Sequence, residues 1–350
     1  MINTQQLRKA TGGSAKNAGR FLFIALFFCL LNNLAHAQFL AEPGTSPTLG
    51  ITTFRLAFVR NDPETRLNPS VFQELKDYLS NDIEIQRGMA AAAVDEILLQ
   101  SHDSHRLLLE ALDAEQPDLA LCSAIDYAYQ RGSYDPVLQL RFPGDSYRSG
   151  AGARVWYSGA IFVGSTSPLF HLSNEDALRV LPQYLDRHSI AMVGSNSASG
   201  YLYPYLTLAQ RITTATLPSL NIAFWDSSEE VAKAVFSGIH DIGACDATVL
   251  DNVAKETNLP GKHAEIYRVL LRTSPVPRDP WVLHRRWTSQ GNYLAVRQPS
   301  AQLGRDITRK LQTYFDRNPE LPKLEKSSPE AFTEVKGNLK RLEMIRTQGD

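Results

Sequence analysis

Short apolar runs alternate with amphipathic stretches along most of this chain. Arg55-Leu-Ala-Phe-Val59 has the length and composition of a buried strand. Between Ser70 and Leu79 the apolar residues Val71, Phe72, Leu75, Tyr78 and Leu79 recur at helical spacing. Ile83-Glu-Ile-Gln86 alternates and predicts a second strand, and Arg106 to Leu112 predicts a helix with Ser104 as its N-cap. Asp118-Leu-Ala-Leu-Cys122 predicts a third strand. The rhythm returns with strands at Ser189–Val193, Leu220–Phe224 and Asp241–Cys245 and helices at Tyr201–Ile212 and Ser228–Phe236. Glu229 and Glu230 would sit in the first turn of that last helix, where the macrodipole favours them.

Strand–helix–strand repetition predicts an α/β fold with largely parallel pairing, and its appearance twice predicts two similar lobes. The Gly/Ser/Arg-rich stretch Gly144–Gly152 and the Pro-rich Ser274–Pro280 are the expected crossings between lobes. Between them lie an apolar strand at Ala160–Val163 and the segment Glu265–Leu271. The expected layout is a first lobe over 50–157, a second over 158–268, and a return to the first with C-terminal helices over 269–350. Those helices are expected at Leu303–Phe315 and Glu330–Ile345.

Residues 1–37 change the charge picture. They hold Arg8, Lys9, Lys16 and Arg20 with no acidic residue, then the 11-residue apolar run Phe21–Leu31, then Ala35 and Ala37 in A-x-A spacing. This is the pattern of a secretory signal peptide, with cleavage expected after Ala37 and release into the periplasm. The apolar run is shorter than the roughly 20 residues a membrane span needs. The whole chain has a net charge of -1, and removing the leader leaves 32 basic against 37 acidic residues. A mildly acidic chain is not a nucleic-acid binder working through bulk charge. Of the three cysteines, Cys122 and Cys245 remain after cleavage, and their placement in different lobes predicts two buried free thiols.

Candidate chemistry concentrates in Val193-Gly-Ser-Asn-Ser-Ala-Ser-Gly200. Ser195, Ser197 and Ser199, with Ala198 and Gly200, follow a predicted strand and precede a predicted helix. The first N–H groups of a helix lack internal partners and carry partial positive charge. Small side chains let an anion approach them, and hydroxyls add donors, so the loop suits phosphate, phosphonate, sulfate or carboxylate. Ser and Gly also dominate ordinary caps and turns, which is the plainer alternative. No Lys follows Gly200, so the loop is not a P-loop, and Asn196 stands where a nucleophile elbow needs Ser. His102 and His105 are too few ligands for a zinc site. No metal, cofactor or catalytic set is expected; a secreted α/β hydrolase is the weakest of the alternatives.

The segment Ser195-Asn-Ser-Ala-Ser-Gly-Tyr-Leu-Tyr-Pro204 resembles the N-S-T-S-G-[YF]-L-x-P signature of the phosphonate/phosphate/phosphite-binding proteins of ABC importers. Pro117–Leu121, Tyr157–Leu169, Gly238–Ala244 with Asp246, and Ser274–Pro280 extend the resemblance over most of the chain after the leader. It implies a two-lobed periplasmic-binding-protein (type II) fold with two mixed sheets and a hinge of two crossings. It implies capture of a small phosphorus oxyanion between the lobes, by a monomer that delivers it to an inner-membrane ABC permease. A periplasmic sensor or accessory protein of the same fold is the alternative. Carried over by position, the oxyanion contacts fall on Ser197, Ala198 and Ser199, with Tyr157 and Asp279 from the crossings. Three positions depart from the family: Ala198 replaces Thr, Ser228 replaces His, and His105 replaces an aromatic residue. A carboxylate used by aminoalkylphosphonate binders falls near Thr248. His105 is expected to supply the oxyanion contact that Ser228 lacks.

Overall fold

The computed structural model describes residues 53–130, 133–150, 152–211, 220–257, 266–288 and 299–347. The leader and its cleavage site lie outside the described residues. From the N-terminus the order begins β1 (Thr53–Val59), α1 (Pro69–Asn81), α2 (Ile83–Ala91), β2 (Glu96–His102), α3 (His105–Asp113), β3 (Leu119–Leu121), α4 (Ala124–Tyr129), β4 (Tyr134–Arg141) and β5 (Ser146–Arg148). It continues β6 (Arg154–Gly164), α5 (Asn174–Leu185), β7 (Ile190–Val193), a π-turn (Ala198–Leu202) running into α6 (Tyr203–Ala209), β8 (Ile222–Trp225), α7 (Ser228–Phe236), β9 (Ile242–Asp246) and α8 (Leu250–Glu256). It ends β10 (Tyr267–Pro277), β11 (Pro280–His284), α9 (Pro299–Arg317), β12 (Lys323–Lys326) and α10 (Thr333–Thr347).

Two mixed sheets result. The first runs β12-β4-β11-β3-β1-β2 and the second β10-β6-β9-β7-β8, with β5 paired to β6. In each, three parallel strands are followed by an antiparallel one: β2-β1-β3 then β11, and β8-β7-β9 then β6. β1 shows why this works. Phe54, Leu56 and Phe58 enter one apolar cluster with Leu75, Trp281, Leu303 and Phe315, while Ala57 enters another on the opposite face. A parallel strand covered on both sides needs a continuous apolar run, which is what Leu56–Val59 is. The cluster on Ala57's side also draws in Met192 and Leu202 of the second lobe and Phe332, Val335 and Leu339 near the C-terminus. Cys122 and Cys245 are buried and free.

Four expectations change. Ile83–Gln86 is the start of a helix, because Asp82 caps it by accepting the N–H groups of Glu84 and Ile85 at 3.0 and 3.2 Å. The expected limits at 157/158 and 268/269 fall inside β6 and β10. Both strands lie wholly in the second sheet, as does β5, so the chain changes sheets between Arg141 and Ser146 and between Pro277 and Pro280. The Pro-rich Ser274–Pro277 reads as turn, yet Pro275 and Pro277 pair with Ser158 and Trp156. β10 is an edge strand, where a missing N–H is tolerated. The helix expected from Tyr201 to Ile212 instead begins as the π-turn at Ala198, and Ile212 lies outside the described residues.

Candidate functional site

The carboxyl ends of the parallel strands are where ligands of open α/β sheets bind. In the second lobe these ends present donors. After β7, Ser197 caps the π-turn, its hydroxyl accepting the Gly200 N–H at 3.0 Å. A Cβ on Gly200 would lie 2.3 Å from Val193 Cγ2, so only glycine lets this turn close onto its strand. Gly159 of β6 is equally constrained, since a Cβ there would meet the Ser199 carbonyl oxygen at 2.4 Å. Ser199 is fully buried and its Oγ has no hydrogen-bond partner among the described residues. After β8, Ser227 caps α7 by accepting the Glu230 N–H at 3.1 Å, which leaves Ser228 as the first helical residue with its N–H free to point outward.

That N–H is taken by a residue of the other lobe. Glu64, in the loop after β1, accepts it on Oε1 at 2.9 Å. Its Oε2 lies 3.4 Å from the hydroxyls of both Ser197 and Ser228. Ser228 Oγ in turn accepts the Asp246 N–H at 3.2 Å. Burial pushes the Glu64 carboxyl above its ordinary value; the Ser228 N–H works against this, and the Asp246 and Asp62 charges add to it.

The corresponding ends of the first lobe present carboxylates. Asp62 Oδ1 accepts the Glu64 N–H at 3.0 Å. His105, the first residue of α3, places Nδ1 2.5 Å from Asp126 Oδ2 and Nε2 3.4 Å from Asp62 Oδ2. Burial opposes a charge on His105, but the hydrogen bonds and charges of Asp126 and Asp62 outweigh it and raise its pKa to about 11. Asp279 accepts the Ala124 N–H at 3.0 Å, at the start of α4. Burial, with the Asp62 charge, raises its pKa to about 7. Below that pH it is a neutral donor; above it, a charged acceptor.

One arginine joins these halves. Arg278 holds Asp145 of the first crossing through Nε and Nη2 at 2.8 and 2.7 Å, and Asp246 at the end of β9 through Nη1 at 2.9 Å. Its guanidinium stacks on Tyr157, 3.4 Å from the ring centre. The bidentate, stacked arrangement suits Arg and not Lys. Burial opposes its charge, which Asp246 and Asp145 hold in place. Burial raises the Tyr157 hydroxyl well above its ordinary value.

The structure thus brings Ser197 and Ser228 to one point, with Tyr157 beneath Arg278 at the hinge and Asp279 next to that arginine in sequence. Ala198 is buried beside them in the turn. Ser195 is exposed. Thr248 donates both its N–H and its hydroxyl to Asp246 Oδ1 at 2.8 Å, so the carboxylate at this end of β9 is Asp246. His105, expected to replace a lost contact, already has both ring nitrogens against first-lobe carboxylates. Glu64, Asp62, Asp126 and Arg278 were not picked out from the sequence. Arg278 carried a signal, a cation inside a Pro-rich crossing; Glu64 carried none.

The family model described as the ABC transporter, phosphonate, periplasmic substrate-binding protein matches residues 68–308. No curated protein matches the chain. Among solved structures, XAC2383 from Xanthomonas citri, bound to ATP, aligns with a TM-score of 0.57 at 19% identity, over 84% of this chain and 99% of that one. PhnD1 from Prochlorococcus marinus, in complex with methylphosphonate, aligns with a TM-score of 0.52 at 14% identity, over 83% of this chain and 98% of that one. A binding component of an ABC phosphonate transporter from Pseudomonas aeruginosa gives 0.51 at 13% identity, over 85% and 89%.

Proposed function

The chain belongs to the periplasmic phosphonate substrate-binding proteins of ABC transporters, and on that premise we propose that it captures a small phosphorus oxyanion between its lobes and delivers it to an inner-membrane permease. The observation that carries this reading is the convergence of the Ser228 N–H with the Ser197 and Ser228 hydroxyls on one carboxylate, Glu64. Donors that hold a carboxylate can hold a phosphoryl oxygen in the same way. Ser199 Oγ, buried and without a partner among the described residues, is a further donor for such a ligand.

The protein acts after removal of residues 1–37, as a monomer, without cofactor or metal. Ser197, Ala198, Ser199, Gly200 and Ser228 face the oxyanion from the second lobe, and Tyr157 and Asp279 from the crossings. Charged Asp279 accepts a proton from a phosphate monoanion or a hydrogen phosphonate, which sulfate cannot offer. Phosphate keeps a proton in both its monoanion and its dianion, so its discrimination over sulfate should strengthen as pH rises through about 7, whereas an alkylphosphonate gives up its last proton in the same range and loses this contact. Closure is a hinge motion about the two crossings, and the closed form is what the permease recognises. A periplasmic sensor of the same fold is a second reading, favoured by the carboxylate already seated among the donors.

The test is a thermal-shift titration of residues 38–350 with phosphate, phosphite, methylphosphonate, aminoethylphosphonate and sulfate. A ligand at one hundred times its Kd stabilises by ~2.7 kcal/mol, which raises the midpoint by about 4 °C in a chain of this size. No shift with any of the five would overturn the capture reading. A neighbouring permease and ATPase gene pair would favour delivery, and a thermal shift without such a pair would favour the sensor.

A further inference from the structure

Glu64 stands where the proposed ligand would stand. Its two oxygens meet the Ser228 N–H and the hydroxyls of Ser197 and Ser228. Those groups belong to the second lobe, and Glu64 reaches them from the first across a separation of 164 residues to Ser228. Two residues on, Arg66 lies 3.4 Å from Asp246 Oδ2, so the same loop grips the second lobe at two points. Asn61 and Arg66 hold its backbone in the left-handed region, with φ of 57° and 54°, which a residue such as Arg rarely adopts. Asp62 fixes the Glu64 N–H, and the His105 ring lies against both Asp62 and Asp126. The loop is therefore braced from behind and aimed at the donors.

A carboxylate carried on the chain has no translational freedom to lose when it docks, so it competes at high effective concentration. We propose that Glu64 is a resident carboxylate that occupies the oxyanion seat and closes the lobes on each other, and that an incoming phosphorus oxyanion binds by displacing it. This inference rests on the capture reading above and adds to it a built-in competitor that sets affinity. The alternative role for Glu64 is that of a partner, accepting a proton from the ligand while staying in place. The two roles predict opposite signs. Displacing a competitor bound by charge-assisted hydrogen bonds consumes binding energy, so removing it should tighten binding; removing a partner should weaken it.

The experiment is calorimetric titration of methylphosphonate and inorganic phosphate into the parent protein, Glu64→Ala and Glu64→Gln. The expected result is binding roughly 10- to 100-fold tighter in Glu64→Ala, with a smaller gain in Glu64→Gln, which keeps an acceptor oxygen but loses the charge. Without added anion, amide hydrogen exchange at Ser228 should be at least about tenfold faster in Glu64→Ala than in the parent. Equal or weaker binding in Glu64→Ala, where the parent binds, overturns the displacement alone and leaves capture standing. Unchanged exchange at Ser228 overturns the occupancy of the seat. Binding of neither anion by any of the three proteins overturns the displacement for these anions, and overturns the capture reading as well when the five-ligand thermal-shift titration is also negative. Glu64→Gln preserves the side-chain shape and serves where the alanine variant does not fold.

Discussion

The two lobes repeat one topology and fill it with opposite chemistry. After the first parallel strand, one lobe carries Asp62 and Glu64 and the other carries Ser197 and Ser199. After the second strand, each lobe starts a helix behind a serine cap, Ser104 or Ser227, with His105 or Ser228 as its first residue. After the third, the first lobe places Asp126 in the first turn of a helix while the second places Asp246 against two arginines. The first lobe's loops thus offer mostly carboxylates and the second's mostly serine donors, with Asp246 of the second lobe the exception, met by Arg66 of the first and by Arg278. In the structure the two lobes are held together by their own charges, through single side chains in corresponding loops.

The comparison breaks most completely at Arg278, which both halves share. Arg278→Met should leave Asp145 buried without a counter-charge and Asp246 with Arg66 alone at 3.4 Å, and lower stability by about 3–5 kcal/mol in denaturant unfolding. Arg278→Lys should recover only part of this, since an ammonium cannot reproduce the bidentate stacked contact.

Next is pH, which titrates the first lobe and leaves the serines untouched. His105 has a folded pKa raised to about 11, so its contribution is complete below about 6.5 and is lost as pH rises toward 11. Asp279 also has a raised folded value, about 7, so the folded state holds its proton more tightly than the unfolded state and stability falls as pH rises from about 4 to 7. Both signs agree. The unliganded protein should be more stable at pH 5 than at pH 9 by about 1–3 kcal/mol. Asp279→Asn should flatten the lower part of that curve and leave the upper part. A stability maximum above pH 8 in the parent would contradict the assignment.

The smallest effect sharpens the donor side. Ser195→Ala, at an exposed position, should change stability by less than about 0.5 kcal/mol and leave methylphosphonate affinity unaltered. Ser197→Ala, two residues on, should lose about tenfold in affinity and roughly 1 kcal/mol of cap. Equal behaviour of the two would mean the loop acts as a whole and not through particular hydroxyls.

Much of this architecture can be read locally. The apolar strands, the caps at Ser104 and the donor loop at Ser197–Gly200 are set by neighbours within a few residues, and local pattern reports local causes. Ile83–Gln86 fails because alternation over four residues is too short to outweigh the cap at Asp82. The β10 boundary fails because proline forbids central pairing but not an edge. Glu64 is of a different kind. In sequence it is one charge in a Pro- and Arg-bearing turn, and a solvated loop would look the same. Its role exists only because two sheets bring it to Ser228, and no period or spacing encodes that meeting.

The two free thiols bear on how the molecule is made. Cys122 closes the first sheet's β3 and Cys245 lies in the second sheet's β9. Burial raises both well above the ordinary thiol value, so neither supplies the thiolate that disulfide exchange requires. Before folding they have no such shelter. In the oxidising compartment where this family works, an unfolded chain can join them into a loop that the two-sheet structure has no place for. Folding therefore protects both thiols by burying them in separate sheets.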